Sequence, residues 1–293
     1  MAKVREIKKR IKAVGNIRRI TKTMQMIATS KFARAQQRAV ASKPYTEGIF
    51  ELVTELAAKA GNVSHPLIAG PTGGPKGRPL FLVLTSDRGL CGPYNGSVLR
   101  LAAKTIRESR AEGSDPEIEL SGRKGVAFVK FNKIPIGRQH TQFSDNPKLE
   151  DVEHLAQEYM DRFTKGENSS ISVVFMRFLS VGRQRPEVLQ LLPLKPPAAE
   201  GGEAAGSRVE YEFSPDPEQL LNDLLPVTVK ATLFQVFNDA VVSEHVARMV
   251  AMKSATDNAG KMSKDLTRKY NRARQAMITT ELTEIVSGAA ALE

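Results

Sequence analysis

Apolar residues recur at helical spacing over the first 60 residues of the chain. They fall three or four positions apart at Val4, Ile7, Ile11 and Val14, and then at Ile17, Ile20, Met24 and Ile27. This spacing predicts a long helix over residues 3–60 with a coiled-coil seam, whose phase shifts by one residue near Gly15 and Asn16. Pro44 is expected to kink or interrupt this helix, because proline cannot donate the helical hydrogen bond.

A second long helical pattern covers residues 218–288. Its apolar positions include Leu221, Leu224, Leu225, Leu233, Phe237 and Ala240, then Ala259, Met262, Leu266 and Ala273, and at the end Ile278, Leu282 and Ile285. Pro226 is expected to break or bend this helix. Each terminal helix has too little apolar surface to be stable alone. The two helices are therefore predicted to pair as an antiparallel coiled coil.

The middle of the chain, residues 78–213, alternates short apolar runs with helical stretches. The run Pro79–Thr85 is typical of a strand buried in a parallel sheet. Further strands are predicted at 117–120, 137–143, 171–178 and 188–194, and helices at 97–111, 123–131 and 148–164. This alternation predicts a Rossmann-like α/β domain with a mostly parallel sheet. The predicted segments are thus a helix at 1–60, an α/β domain at 78–213 and a helix at 218–293.

Two glycine- and proline-containing stretches, residues 61–79 and 195–208, are predicted to be loops. No uninterrupted apolar run approaches 18 residues, so no membrane-spanning helix is predicted. The single cysteine excludes an intramolecular disulfide framework.

The positive charge is concentrated near the start of the chain. Of the formal net charge of +11, residues 1–43 carry 13 Lys and Arg against one acid, Glu6. A basic helix of this kind suits nucleic acid, a membrane surface or acidic partner proteins. Contact with proteins is favoured, because an apolar seam lies beneath the charges and only Phe32 could stack on a base.

A glycine-containing turn follows the first predicted strand, with the sequence TSDRGLCGPYNG at residues 85–96. Glycines at such a turn let the backbone approach phosphate. Their spacing is G-x-x-G-x-x-x-G, which differs from the dinucleotide fingerprint, and no G-K-[ST] is present. A tight turn is therefore favoured over nucleotide binding. Cys91 is interpreted as structural rather than nucleophilic, since no histidine lies near it in the sequence. The scatter of His65, His140, His154 and His245 argues equally against a metal site.

The motifs taken together identify the resemblance. ITKTMQMIATSKF (20–32), TSDRGLCG (85–92), ARMVAMKSATDNA (247–259), YNRARQAMIT (270–279) and ITTELTEIVSGAAA (278–291) resemble, in order, motifs of the gamma subunit of bacterial F-type ATP synthase. The last matches the family signature I-T-x-E-x-x-E-x-x-x-G-A at every fixed position. One departure is that the family usually continues this turn as G-G-L-N, whereas this chain reads Cys91-Gly92-Pro93-Tyr94-Asn95. The likeness covers nearly the whole chain.

The resemblance implies a central-stalk rotor subunit without catalysis or cofactor of its own. The paired helices would form a shaft inside a ring of three alpha and three beta subunits, and the α/β domain would lie against the epsilon subunit and the membrane c-ring. Rotation driven by proton flow would move each beta subunit through states of different nucleotide affinity. The protein would be peripheral, at the cytoplasmic face of the bacterial inner membrane, and would bind no nucleic acid.

The resemblance also implies which residues contact the beta ring. They are Lys22, Met24, Arg248, Arg274, Gln275, Thr279, Glu281 and Glu284. Arg274 suits bidentate hydrogen bonding to carboxylates of a beta subunit, and Met24 is expected to pack against the C-terminal helix near the level of Arg274. Glu281 and Glu284 share a helix face late in the helix, where the macrodipole disfavours anions. They are either an ordinary solvated face or a face compensated by cations. The competing classes are a basic coiled-coil protein that binds nucleic acid or acts as a scaffold, and a Rossmann-like enzyme.

Overall fold

The computed structural model describes residues 2–60, 65–70, 77–143, 145–194 and 217–290. Its helices are α1 (Ala2–Ala60), α2 (Pro66–Ala69), α3 (Tyr94–Ala111), α4 (Arg123–Phe131), α5 (Leu149–Thr164) and α6 (Pro217–Ala290). Its strands are β1 (Arg78–Leu84), β2 (Glu117–Ser121), β3 (Arg138–His140), β4 (Asn168–Ser180) and β5 (Arg183–Leu192). The predicted loop at 195–208 lies outside the described residues, whereas the one at 61–79 contains α2 and the first residues of β1.

The chain divides into two compact units. The helical unit consists of Met1–Ser30 with Arg248–Glu293, and the α/β unit consists of Lys31–Ala247. Both long helices therefore contribute residues to both units. This division follows the packing of the elements, whereas the three segments predicted from the sequence follow chain order.

The α/β unit is built on one five-stranded sheet with the order β3-β2-β1-β4-β5. The first four strands pair in parallel, and β5 pairs antiparallel with β4. Side chains of β1 alternate between two cores: Leu80, Leu82 and Leu84 pack with α5 and parts of α1 and α6, whereas Phe81 and Val83 pack with α3 and α4. Burial on both faces explains why this strand is continuously apolar. The predicted α/β fold with a mostly parallel sheet is confirmed.

Strand β5 begins five residues earlier than the sequence pattern predicts. The predicted strand at 188–194 covers only its apolar half, and the preceding half, Arg183–Glu187, is polar and includes Pro186. This half pairs with Phe175 to Ser180 of β4, beyond the end of the pairing between β4 and β1. Because β5 pairs only on its β4 side among the described strands, Pro186 needs no donor on the open side.

Neither proline breaks its long helix, so that part of the prediction is wrong. Pro44 lies inside α1 and Pro226 lies inside α6. Proline has no backbone N–H, so the carbonyl four residues before each proline receives no helical hydrogen bond. These two carbonyls belong to Val40 and Asn222. Both of these residues are exposed, so water can hydrate the two carbonyls and the helices continue.

The apolar seam of α1 in the helical unit keeps one phase throughout. Its protected positions include Val4, Ile7, Ile11, Val14, Thr21, Gln25 and Ala28, which keep one heptad phase although Arg18, at the heptad position between Val14 and Thr21, is exposed. The predicted phase shift near Gly15 is therefore wrong. Ile17, Ile20 and Ile27 are exposed by 51%, 59% and 53% instead of lying in the seam. These isoleucines form a second apolar stripe on the outside of the pair.

The matching seam of α6 has the same spacing. Its protected positions are Met252, Thr256, Ala259, Ser263, Leu266, Tyr270, Ala273 and Met277. Thr256 Oγ1 donates to Thr21 Oγ1 at 2.8 Å, and a β-carbon on Gly260 would lie 3.7 Å from Arg18 Nε. Residue numbers therefore increase along α6 while those of the facing α1 residues decrease. The predicted antiparallel pairing is confirmed. Met262, predicted in the seam, is exposed.

Helix α6 also contains an 18-residue window with mean hydropathy 1.2, long and apolar enough to cross a membrane by composition alone. The sequence analysis missed this window because it counted only uninterrupted apolar runs. The window is 44% buried inside the protein, and the core helix of a soluble protein has the same composition. It is therefore weak evidence for a membrane span.

Candidate functional site

The residues predicted to contact a surrounding ring form two groups along the helical unit. Lys22, Met24 and Arg248 lie in one region, because Thr21 of α1 is opposite Thr256 of α6. Arg274 lies 21 residues beyond the position opposite Met24, which is about 32 Å along the helix axis. The expectation that Met24 packs near the level of Arg274 is therefore wrong.

The second group lies where α6 continues beyond the seam. After Met277 every residue from Ile278 to Ala290 is exposed, including Thr279, Glu281 and Glu284. Ile285 is 72% exposed, and Ile278 and Leu282 lie on the same apolar stripe of the helix surface. Three threonines, Thr279, Thr280 and Thr283, donate hydrogen bonds to the carbonyls four residues earlier. A helical segment of about one dozen residues is marginally stable in water unless another surface packs against it.

The helical unit also carries the net charge of the protein. Its residues include 17 Lys and Arg against six Asp and Glu, which gives +11, whereas the α/β unit has 26 of each and sums to zero. The basic residues end at Arg274, and the only charged residues after it in the sequence are Glu281, Glu284 and Glu293. The unit thus presents a basic region followed by an apolar and acidic tip.

The turn after β1 bonds its polar groups to one another. Asn95 accepts a hydrogen bond from the Ser86 amide at 3.0 Å and donates to Ser86 Oγ at 2.7 Å and to Cys91 Sγ at 3.2 Å. Asp87 accepts from the amide of Arg123, the first residue of α4, at 3.1 Å. Cys91 is only 2% exposed. These bonds favour the tight turn over a phosphate cradle, and a structural cysteine over a nucleophile.

Helix α6 covers the sheet edge at which α/β proteins of this topology usually bind ligands, beyond the carboxyl ends of β1 and β4. Tyr94, part of the departure from the family turn, donates to the Ala240 carbonyl at 3.1 Å. Ser243 donates to the Met176 carbonyl at 3.1 Å. The cavity left at this edge has a volume of only about 30 Å³ and is lined by Asp87, Asp145 and Glu244 among others. This space is too small and too acidic for a nucleotide phosphate.

A buried ionic network joins β2, β3 and α5. Glu119, which has no exposed surface, accepts hydrogen bonds from Tyr159 Oη at 2.8 Å and Arg162 Nη1 at 2.9 Å. His140 Nε2 lies 2.6 Å from the same carboxylate. Burial opposes the charge of Glu119, but the bonds to His140 and Tyr159 and the charge of Arg162 outweigh it, so its pKa is lowered. Sequence reasoning missed this network because its members are far apart along the chain.

An open cleft of about 680 Å³ lies beside this network. The charged residues lining it are largely paired within the protein: Arg162 bonds Glu117 at 2.6 Å and Arg138 bonds Glu158 at 2.5 Å. The network therefore fastens the helix α5 to the edge of the sheet.

Asp239 is a second buried acid that the sequence analysis missed. It lies on α6, and Gln235 Nε2 donates to its Oδ1 at 3.0 Å. Burial raises the pKa of Asp239 to about 6, although Arg177 and the bond from Gln235 oppose the rise. This carboxyl therefore binds a proton in a pH range in which exposed aspartates remain charged.

Among the described residues, one group places three possible metal ligands close together. Atoms of Asp145, Glu244 and His245 lie within 4.8 Å of one another. Lys31 donates a hydrogen bond to Asp145, so an ammonium group already supplies positive charge beside this carboxylate. The scatter of histidines along the sequence gave no sign that His245 approaches Asp145.

Comparison with known proteins agrees with this architecture. A family model described as ATP synthase matches residues 3–292. The ATP synthase gamma chain of Rhodopirellula baltica is 41% identical over 297 residues, and that of Leptospira biflexa is 39% identical over 293, each alignment covering 100% of both chains. A chain in the mitochondrial ATP synthase of Euglena gracilis, solved as OSCP, F1 and c-ring in rotational state 3, is similar with a TM-score of 0.64 and 17% identity. That match covers 99% of the present chain and 95% of the Euglena chain. The structural likeness shows a shared fold.

Proposed function

Since this chain belongs to the ATP synthase gamma-chain family, we propose that it is the central-stalk rotor subunit of a proton-translocating ATP synthase. The helical unit would turn inside a ring of alpha and beta subunits, and the α/β unit would meet the epsilon subunit and the c-ring. The protein would act from the cytoplasmic face of the bacterial inner membrane as a peripheral subunit.

The observation that carries this proposal is the exposed end of α6, residues 278–290. It holds an apolar stripe at Ile278, Leu282 and Ile285, although no other part of the helical unit covers that stripe in the described structure. Such a helix gains stability only when another surface encloses it. A ring that surrounds the tip on all sides would do so while still permitting rotation.

The two groups of predicted contact residues suit a rotor that touches its ring at two levels. Lys22, Met24 and Arg248 would serve one level, and Arg274 through Glu284 the other, about 32 Å further along the helix. Because an antiparallel pair presents a different face to each beta subunit, the three beta subunits would be held in different conformations. Coupling then follows from contacts that differ between states.

We further propose that the chain performs no bond chemistry itself and requires no cofactor. Support comes from the turn after β1, whose side chains are bonded within the turn, and from α6, which covers the adjacent sheet edge. Nucleotide chemistry would then take place entirely in the surrounding ring.

The test is reconstitution of the full chain with the alpha and beta subunits of the same organism. We expect a complex with three alpha, three beta and one copy of this chain, and rotation of the chain during ATP hydrolysis. Failure to form this stoichiometric complex would refute the proposal.

Single substitutions then test the predicted contacts. Arg274→Ala is expected to lower ATP-driven proton pumping by the complete enzyme, because it removes a bidentate donor to the ring. Arg272→Ala is the matched control, since Arg272 is also exposed but faces the nearly opposite side of α6. Equal effects of both substitutions would contradict the specific role of Arg274.

A further inference from the structure

The segment between β3 and α5 attaches to both long helices through Asp145. The Asp145 carboxylate accepts a hydrogen bond from Lys31 of α1. Its backbone carbonyl accepts from Arg38 Nη2, about two helical turns further along α1, at 3.4 Å. On the other side, His245 Nε2 of α6 lies 4.0 Å from Asp145 Oδ1. One residue of the α/β unit thus contacts α1 and α6 together.

Besides the hydrogen bonds of Tyr94 and Ser243 to backbone carbonyls, this level of the α/β unit contains an apolar cluster. Residues of α1 and α6 form a cluster with the end of β4, namely Phe32, Ala35, Ala39, Phe178, Val241 and Val242. The rings of Phe32 and Phe178 lie 6.2 Å apart at 58°. Contacts of this kind hold the helices against the sheet, since apolar burial favours proximity without fixing direction.

Hydrogen bonds and ion pairs differ from such contacts because they depend on direction as well as distance. A polar link on the surface of a helix therefore resists rotation of that helix against its support. Asp145 holds α1 at Lys31 and approaches α6 at His245, so a twist of the helix pair relative to the sheet must displace one of these contacts.

We propose that Asp145 is a torque-bearing link, which fixes the helix pair against rotation within the α/β unit. This inference rests on the proposed rotor function, because only a rotor carries torque between these elements. Asp145 is a positioning residue: it touches no nucleotide and acts through the two helices that it holds.

The test compares the complete enzyme carrying Asp145→Asn with the wild type. Asparagine keeps the size of the side chain and the backbone acceptor for Arg38, but it removes the charge facing Lys31 and His245. We expect ATP hydrolysis by the soluble ring complex, which works without load, to be unchanged. In membrane vesicles, proton pumping against a large opposing gradient should fall about two- to fivefold, the effect of losing one partly exposed charge pair.

Two further variants, Lys31→Met and Glu108→Gln, test whether the effect is specific to the contacts of Asp145. Lys31→Met removes only the bond from Lys31 to the Asp145 carboxylate and leaves the Arg38 bond in place, so it should produce a smaller loss under load than Asp145→Asn. Glu108→Gln is the matched control, because it removes the exposed Lys104–Glu108 pair within α3 and joins no two elements. If Asp145→Asn does not assemble, Lys31→Met under load decides the question in its place.

The outcomes separate this inference from the function on which it rests. A wild-type chain that neither assembles with the ring nor supports pumping would refute the rotor function and the inference together. A wild-type chain that pumps, with Asp145→Asn pumping equally at every gradient, would overturn the torque-bearing role alone. An equal loss in unloaded hydrolysis would also overturn it, since a general structural defect would then explain the result.

Discussion

Replacement of Asp239 by asparagine is expected to stabilise the α/β unit at neutral pH. Burial raises the pKa of Asp239 to about 6 in the folded protein from an ordinary value of 3.8. The difference corresponds to about 3 kcal/mol of folding free energy, which the folded state loses when this carboxyl ionises. The asparagine side chain in Asp239→Asn would keep an acceptor for Gln235 and carry no charge, so it would avoid that loss.

The sign follows from proton binding. Between pH 3.8 and 6 the folded state binds the Asp239 proton more tightly than the unfolded chain does, so this contribution to stability is fully present below pH 3.8 and is lost as pH rises through 6. The Asp239→Asn chain should therefore match the wild type near pH 4 and exceed it by about 3 kcal/mol near pH 8.

Urea unfolding from pH 4 to pH 8 measures this difference. The chain has no tryptophan, and three of the four tyrosines in the described part of the chain, Tyr45, Tyr94 and Tyr159, belong to the α/β unit, so tyrosine fluorescence reports chiefly on that unit. Asp223→Asn, at an exposed position of the same helix, is the matched control. A difference between Asp239→Asn and wild type that does not change with pH would refute the reasoning, as would an equal gain from the control.

The other predictions concern the buried network and the coiled-coil seam. Glu119→Gln should destabilise the α/β unit by about 2 kcal/mol in urea unfolding at pH 7, because Arg162 loses a buried charged acceptor, whereas Glu150→Gln on the exposed side of α5 should not. Because the pKa of Glu119 is lowered in the folded protein, its contribution to stability is present above its unfolded pKa and is lost as pH falls through the folded pKa. In strong acid the wild type should therefore approach the stability of Glu119→Gln. Ala259→Leu should weaken the helix pair by about 1–3 kcal/mol, because a larger side chain overfills the narrow seam. Met262→Leu, one turn away and exposed, is its control, and helix content followed by circular dichroism on heating measures both.

The sequence pattern predicted the elements of the α/β unit well. The strand run ending at Thr85 and the helices at 97–111, 123–131 and 148–164 agree with β1, α3, α4 and α5 to within a few residues. Strands buried on both faces and amphipathic helices leave clear periodic signals. The polar half of β5 has no such periodic signal in the sequence, because it is held by pairing with β4 and not by burial of its own side chains.

The seam of the helix pair could not be predicted in detail. The strongest apolar residues near the middle of the N-terminal segment, Ile17, Ile20 and Ile27, are exposed, while Thr21 and Ala28 are protected. Small residues in the seam let the helices approach closely, and large residues on the outside favour contact with other proteins. Hydrophobicity alone cannot distinguish these two uses of an apolar stripe.

The link at Asp145 and the network at Glu119 left no recognisable signal in the sequence. Lys31 and Asp145 are 114 positions apart, and Arg162 is 43 positions from Glu119. Only the topology of the sheet brings such residues together, since parallel strands place distant segments side by side.

The seven-residue repeat that recurs in both seams favours a left-handed supercoil in the helical unit. A supercoil is chiral, so a torque of one sense tightens the winding and a torque of the other sense loosens it. Tightening presses together side chains that already touch, such as Thr21 and Thr256, whereas loosening only separates them. The torsional stiffness of the helical unit therefore differs between the two directions of turning. The amino-acid spacing sets this difference before any partner binds.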